Sequence, residues 1–141
     1  MHSLLLTVDG SRAASNAVKH VVNLLHNGYS AHVHVLHVLP IVFPVSDFEF
    51  PDYALIEKAQ KQQAKHILDA ACKLLEQAGI EHTRHVESGL VSQTIVNFAN
   101  KQHCEQIIMG TRGMSTFGNW MLGSTANQVA HLANMPVTLV K

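Results

Sequence analysis

The chain has 141 residues, 47% of them hydrophobic, and its ten basic residues balance its ten acidic ones. This size and composition predict a single domain, residues 1–141, with one hydrophobic core. A balanced charge without long runs of either sign argues against general nucleic-acid binding. No apolar stretch reaches the length of a membrane span and the first residues lack a secretion-signal pattern, so we expect a cytoplasmic protein without a nucleic-acid or membrane partner.

The first half of the sequence predicts two strands, each followed by a helix. Residues 3–8 form an apolar run that ends at Asp9-Gly10-Ser11, and apolar residues at helical spacing follow it. A valine-rich run over residues 31–39 predicts the second strand. A connection that contains prolines then leads to a second, largely polar helix over residues 53–78.

The second half of the sequence predicts three strands and two helices. Residues 81–87 form a strand of modest hydrophobicity, after which Gly89 is expected to open the third helix. A short apolar run at residues 105–109 predicts the fourth strand, residues 122–133 the fourth helix and Val137–Val140 the fifth strand. Strands that alternate with helices in this way predict an α/β fold, a doubly wound parallel sheet with helices on both faces.

The segment from Gly110 to Thr125 is the most specific motif of the chain. It combines Gly110-Thr-Arg-Gly113 with Gly123-Ser124-Thr125 and lies between the fourth strand and the fourth helix. Glycine lets backbone N–H groups approach an anion, and a helix start adds unpaired N–H donors and a partial positive charge. The segment therefore predicts a phosphate site, with a tight turn as the alternative. Ser124 stands where a motor-type phosphate loop has its lysine, which argues against that class of NTPase.

Asp9 lies in the loop after the first strand, which we expect to face this glycine segment. In an open doubly wound sheet, ligands bind beyond the carboxyl ends of the strands, at the point where the strand order reverses. An aspartate at that point can bind a ribose hydroxyl or hold Mg²⁺ between phosphates. The alternative role of Asp9 is that of a helix cap or turn residue.

These motifs together resemble the universal stress protein family, in its ATP-binding branch. The resemblance spans the whole chain and rests on Val8-Asp9-Gly10-Ser11, Val35-Leu36-His37-Val38, the glycine segment and Pro136-Val137-Thr138-Leu139-Val140. The family's nucleotide pattern is glycine, two residues, glycine, nine residues, glycine and a hydroxyl residue, and this chain fills every fixed position. The resemblance implies a five-stranded sheet of order 3-2-1-4-5 with two helices on each face.

The resemblance also implies an ATP site across the carboxyl ends of the first and fourth strands. Thr7, Val8 and the backbone of Val38 are expected beside the adenine. Asp9 and Gly110 are expected near the ribose, with Asp9 also a ligand to the Mg²⁺ that accompanies ATP. The phosphates are expected along Arg112, Gly113, Gly123, Ser124 and Thr125. The expected binding residues are Thr7, Val8, Asp9, Val38, Met109, Gly110, Thr111, Arg112, Gly113, Gly123, Ser124 and Thr125.

The sequence favours a binding protein over an enzyme, because no Ser-His-Asp order, paired carboxylates or lysine-bearing phosphate loop can be assembled from it. By resemblance, the protein is a small nucleotide-dependent sensor or regulator of a stress response. The alternatives are a slow Mg-dependent ATP hydrolase and a nucleotide-free dimeric scaffold, and the intact glycines count against the scaffold. An exposed apolar edge at Val137–Val140 predicts a homodimer, which the resemblance also implies.

Eleven histidines raise the question of a metal site. His32 and His34 share one face of the second strand, whereas His82 and His85 on the third strand point to opposite faces. Imidazoles can bind Zn²⁺, and the alternative is a set of solvated surface histidines. Residues 40–53, which carry aromatic side chains, are either a lid over the base or a cover for the sheet edge.

Overall fold

The computed structural model describes residues 1–41, 52–112 and 122–141. Most of the proline-containing connection and the middle of the glycine segment, including Gly113, therefore lie outside the described residues. Within the described ranges strands and helices alternate as β1 His2–Thr7, α1 Arg12–His26, β2 Ala31–Pro40, α2 Tyr53–Gln77, β3 His82–Gly89, α3 Val91–Lys101, β4 Gln106–Gly110, α4 Ser124–Leu132 and β5 Val137–Val140. The five strands are parallel and ordered β3-β2-β1-β4-β5, which confirms the expected fold and strand order.

The two faces of the sheet carry separate hydrophobic clusters, because successive strand residues point to opposite sides. On the central strand β1, Leu4 and Leu6 pack with α1 and α2, whereas Leu5 packs with α3 and α4, and all three leucines are fully buried. Two helices therefore cover each face, as expected. The beginnings of α1, α3 and α4 lie around the carboxyl ends of β1 and β4, and the candidate cavity is found there.

The structure corrects the predicted beginning of two helices. Gly89 does not open α3 but ends β3, where it pairs with Pro40, and α3 begins two residues later at Val91. Its φ of +153° and the 2.5 Å between an added Cβ and Thr94 Oγ1 explain why glycine occupies this junction. The helix α4 begins at Ser124, so Leu122 precedes the helix and is exposed instead of lying on its buried side.

The helix α2 ends as its glycine predicts. Gly79 has a φ of +70°, and the N–H of Ile80 donates to the carbonyl of Leu75 at 2.9 Å, as in a Schellman cap. Although α2 has 25 residues, many of them are exposed and polar. Among the described residues, no helix is long and apolar enough to cross a membrane.

Candidate ligand-binding site

A cavity lies at the carboxyl ends of β1 and β4, where the strand order reverses. The loop after β1 and the start of α4 both contribute to its wall. Eleven of the twelve expected binding residues line this cavity, namely Thr7, Val8, Asp9, Val38, Met109, Gly110, Thr111, Arg112, Gly123, Ser124 and Thr125. Gly113, the twelfth, lies outside the described residues. Residues more than a hundred positions apart in sequence thus meet at the switch point of the sheet.

The loop after β1 is shaped by the carboxylate of Asp9. Its Oδ1 atom accepts a hydrogen bond from the backbone N–H of Ser11 at 2.9 Å, which closes a turn across Gly10. Gly10 has a φ of +84°, a conformation that favours glycine. Asp9 is therefore a turn residue through one oxygen, and its other oxygen takes no part in that hydrogen bond.

The side chain of Ser11 joins the two loops that form the cavity. Its hydroxyl oxygen accepts from the N–H of Ala14 at 3.1 Å and thereby caps α1. The same hydroxyl donates to the carbonyl of Arg112 at 3.2 Å. Since Ser11 is buried, this contact holds the glycine segment at a defined distance from the Asp9 loop. The capping role is visible in the sequence, but the bond to Arg112 depends on the tertiary fold.

Gly110 is required by packing as well as by ligand access. A Cβ added to it would lie 2.8 Å from the backbone and side chain of Ala13 and 2.8 Å from the nitrogen of Ala14. The first turn of α1 therefore rests directly on the end of β4. The sequence predicted this glycine from its role beside an anion and did not reveal the close approach of α1.

Gly123 uses its backbone N–H within the loop. That N–H donates to the carbonyl of Thr111 at 2.7 Å, so it is not a free donor for an anion. Gly123 is the N-cap of α4, and its φ of −59° is accessible to any residue. The unpaired donors at this end of the cavity are therefore those of the first turn of α4, which begins with Ser124 and Thr125.

The other end of the cavity is apolar. Leu36, Val38 and Met109 from the strands meet Val91 and Ile95 from the beginning of α3. Neither of these α3 residues, nor Leu36, was expected from the sequence as a binding residue, because nothing in the glycine segment indicates which helix borders the cavity. A flat, apolar ligand group fits this wall, and a charged group fits the opposite end at α4.

His37 anchors the end of β1 beside this wall. Its Nδ1 atom lies 2.8 Å from the carbonyl oxygen of Val8. A carbonyl can only accept, so Nδ1 carries the hydrogen and donates it. This bond holds the peptide that precedes Asp9. The charged side chains among the described lining residues are Asp9 and Arg112, one of each sign.

The structure is that of an α/β doubly wound protein with a cavity at its switch point. The profile of the universal stress protein family matches residues 1–141, so the chain belongs to that family. A universal stress protein of Methanocaldococcus jannaschii is 30% identical over 139 residues, which cover 98% of this chain and 81% of that protein.

Solved structures show the same fold. The UspA protein of Lactobacillus plantarum superposes with a TM-score of 0.82 at 21% identity, covering 99% of this chain and 97% of that one. A universal stress protein of Archaeoglobus fulgidus, solved in complex with dAMP, has a TM-score of 0.68 at 24% identity and covers 100% of this chain and 98% of that one. At these identities the structural likeness establishes the fold.

Proposed function

We propose that this protein binds an adenine nucleotide, namely ATP with Mg²⁺, and acts as a small cytoplasmic nucleotide-dependent sensor or regulator in a stress response. The carrying observation is the convergence of eleven residues expected from the sequence on one cavity. The proposal is supported by proteins of the same fold that were solved with dAMP, AMP and cAMP.

The two ends of the cavity suit the two ends of a nucleotide. The apolar wall that contains Val38 and Ile95 suits an adenine ring. The unpaired N–H groups at the start of α4 and the guanidinium of Arg112 suit phosphates, since both provide positive charge. Ser124 and Thr125 add hydroxyl donors at the same end.

The oxygen atoms near Asp9 are suitable ligands for a magnesium ion that is bound together with phosphate groups. Mg²⁺ in nucleotide sites takes oxygen ligands, commonly one carboxylate and several phosphate or water oxygens. Asp9 retains one carboxylate oxygen outside its turn, and Ser124, which also lines the cavity, carries a hydroxyl. When bound, the ion would neutralise phosphate charge. Asp9 is the single carboxylate among the described lining residues, which favours binding over hydrolysis.

Mass spectrometry of the small molecules released from freshly purified, denatured protein tests the proposal. An adenine nucleotide at close to one equivalent per chain is the expected result. No released nucleotide, together with no heat of binding when ATP and Mg²⁺ are titrated in, would support the scaffold alternative. Steady release of phosphate beyond one equivalent would support the slow hydrolase instead.

The negative charge of Asp9 is expected to increase the affinity for Mg-ATP. The substitution Asp9→Asn tests this effect while keeping the turn that Asp9 forms with Ser11. Asparagine keeps an oxygen that can accept from Ser11 N–H, so the loop should survive. Without the negative charge, we expect the affinity for Mg-ATP to fall about tenfold while ATP in EDTA binds as in the parent. Isothermal titration calorimetry in both buffers measures the difference. Equal Mg-ATP affinity in parent and variant would leave Asp9 as a turn residue.

The strand β5 supports a proposed homodimer. It pairs with β4 alone and forms one edge of the described sheet. The N–H of Ile107 donates to the carbonyl of Pro136, and the N–H of Thr111 to that of Val140, so the backbone groups of Leu139 turn away from β4. A second copy related by a two-fold axis would pair with these outward groups and cover the apolar edge.

Leu139→Pro is expected to convert the proposed dimer to a monomer. Proline at this position removes an N–H that points away from β4. A partner strand would need this donor, whereas the pairing of β5 with β4 does not use it. Light scattering coupled to size-exclusion chromatography measures the mass, and Leu139→Ala, which keeps the N–H, is the matched control. A parent protein that is monomeric at micromolar concentration would contradict the proposed dimer.

A further inference from the structure

Three histidines form a cluster on the face of the sheet that α3 covers, and none of them lines the candidate cavity. The Nδ1 atom of His34 on β2 lies 3.0 Å from the Nε2 atom of His85 on β3. The ring of His32 meets the ring of His34 edge-on at 4.9 Å between centroids. Phe98 of α3 lies against both members of the pair, 4.7 Å from His85 and 6.2 Å from His34.

This histidine cluster is not a metal site in the described structure. No group of three or more His, Cys, Asp or Glu side chains among residues 1–41, 52–112 and 122–141 is arranged to hold a metal ion. His82 lies on the opposite face, where its Nδ1 bonds to the carbonyl of Ile80. His32 directs its Nε2 to the hydroxyl of Thr83 at 2.9 Å. The imidazoles are therefore bonded to each other and to neighbouring polar groups.

The hydrogen bond between His34 and His85 limits how many protons the pair can hold. In the neutral pair, one facing nitrogen donates and the other accepts. A first proton can enter on an outward nitrogen and leave that bond intact. A second proton would put hydrogen on both facing nitrogens, which removes the acceptor and places two positive charges on rings whose centroids are 5.1 Å apart. Full protonation is therefore incompatible with the packed arrangement.

The surroundings also oppose protonation of either ring. Burial lowers the pKa of His34, and the neighbouring His32 and His85 lower it further. Burial likewise lowers the pKa of His85, where Glu87 acts in the raising direction and His32 in the lowering direction. The helix α3 packs the apolar ring of Phe98 against the pair. The single charged residue of α3, Lys101, lies exposed in the last turn of that helix.

Acidification therefore destabilises the folded state of this region. A histidine with a lowered pKa in the folded protein binds fewer protons than the same histidine in the unfolded chain, whose pKa is about 6.5. The histidine's contribution to stability is fully present above the pKa of the unfolded chain. It is lost as the pH falls below that pKa towards the lower pKa of the folded protein. The affected strand, β3, is the outer strand of the sheet and pairs with β2 alone among the described strands. It can loosen without breaking the central pairings.

We propose that the hydrogen-bonded pair of His34 and His85 is an acid-sensing element of this protein. Near neutral pH the hydrogen-bonded pair and its contact with Phe98 join β2, β3 and α3. Below about pH 6.5, uptake of a second proton by the pair removes its hydrogen-bond acceptor, breaks the pair and loosens β3 and α3. Neither histidine lines the candidate cavity, and the test of this element requires no nucleotide.

Thermal unfolding of the ligand-free protein at about pH 7.5 and about pH 5.5 tests the proposal. The parent is compared with the double variant His34→Phe, His85→Phe, which keeps the aromatic packing and cannot titrate. We expect the acid-induced fall in melting temperature to be smaller by roughly 3 to 6 °C in the double variant. The control His20→Gln, His66→Gln removes two exposed histidines and should retain the parent's fall. An equal fall in parent and double variant would overturn the proposal.

Two measurements on the parent decide the matter even if the double variant does not fold. Amide hydrogen exchange is measured at both pH values and corrected for its intrinsic pH dependence. Lowering the pH should increase the exchange rate more in β3 and α3 than in β4. NMR titration of the imidazole rings should place the His34 and His85 transitions below about pH 6.5. Ring transitions at or above that value, or acid-induced exchange spread evenly over the sheet, would refute an acid-sensing role.

Discussion

Replacing Gly110 by alanine is expected to lower the free energy of unfolding by about 3 kcal/mol, the upper range for overpacking of a core. The added methyl carbon would lie 2.8 Å from three atoms of the first turn of α1, two of which are backbone atoms. Backbone atoms cannot rotate away as a side chain can, so α1 and β4 must separate. That separation would also disturb the contact between Ser11 and Arg112. Urea denaturation followed by circular dichroism measures the change in stability.

The matched control for this prediction is Gly79→Ala. Gly79 has a φ of +70° but no heavy atom within 4 Å of an added Cβ. Alanine there meets backbone strain without a clash, and we expect a loss of about 1 kcal/mol. A Gly110→Ala protein that is no less stable than the Gly79→Ala protein would show that α1 does not rest on β4 as the structure describes.

Gly123→Val is expected to reduce ATP affinity at least 100-fold, equivalent to about 2.7 kcal/mol, provided that the proposed nucleotide site is correct. Gly123 lines the cavity between Thr111 and the start of α4, where the phosphates are proposed to bind. A branched side chain at this place would fill space that the phosphates need. The φ of −59° allows valine, and the N–H can still donate to Thr111, so the protein should fold.

A size series at this position separates loss of space from loss of structure. Gly123→Ala should reduce the affinity about tenfold, between the parent and the valine variant. Calorimetric titration gives the affinities, and thermal unfolding without ligand verifies that all three proteins are folded. Affinity unchanged by valine in a folded variant would exclude phosphate binding at the start of α4.

The two loops of the cavity are held in place before any ligand arrives. Ser11 joins the Asp9 loop to the glycine segment, and His37 holds the peptide bond that precedes Asp9. Such pre-formed contacts reduce the ordering that a ligand would otherwise have to impose. The same contacts explain why residues without a direct role in binding, such as Ser11, are important for the shape of the site.

Much of the fold was predictable because it depends on local patterns. Alternating apolar runs predicted all five strands of the described sheet, and turn residues such as Gly79 predicted helix ends. The glycine segment and Asp9 predicted which ends of which strands would meet, since a doubly wound sheet places them at its switch point. Two helix starts were misplaced because the pairing of Gly89 with Pro40 and the bond from Gly123 to Thr111 are tertiary contacts.

The amino-acid sequence by itself determined the order of elements and the parallel sheet, because periodicity and turn chemistry act over a few neighbouring positions. The residues expected around the cavity came from motifs that resemble the universal stress protein family. Tertiary structure alone decided that Gly110 supports α1, that Val91 and Ile95 close the apolar end, and that His34 meets His85. These contacts join residues from different elements, and their distances depend on how helices pack against the twisted sheet. No local pattern records that packing, which is why the histidine pair became visible only in the folded chain.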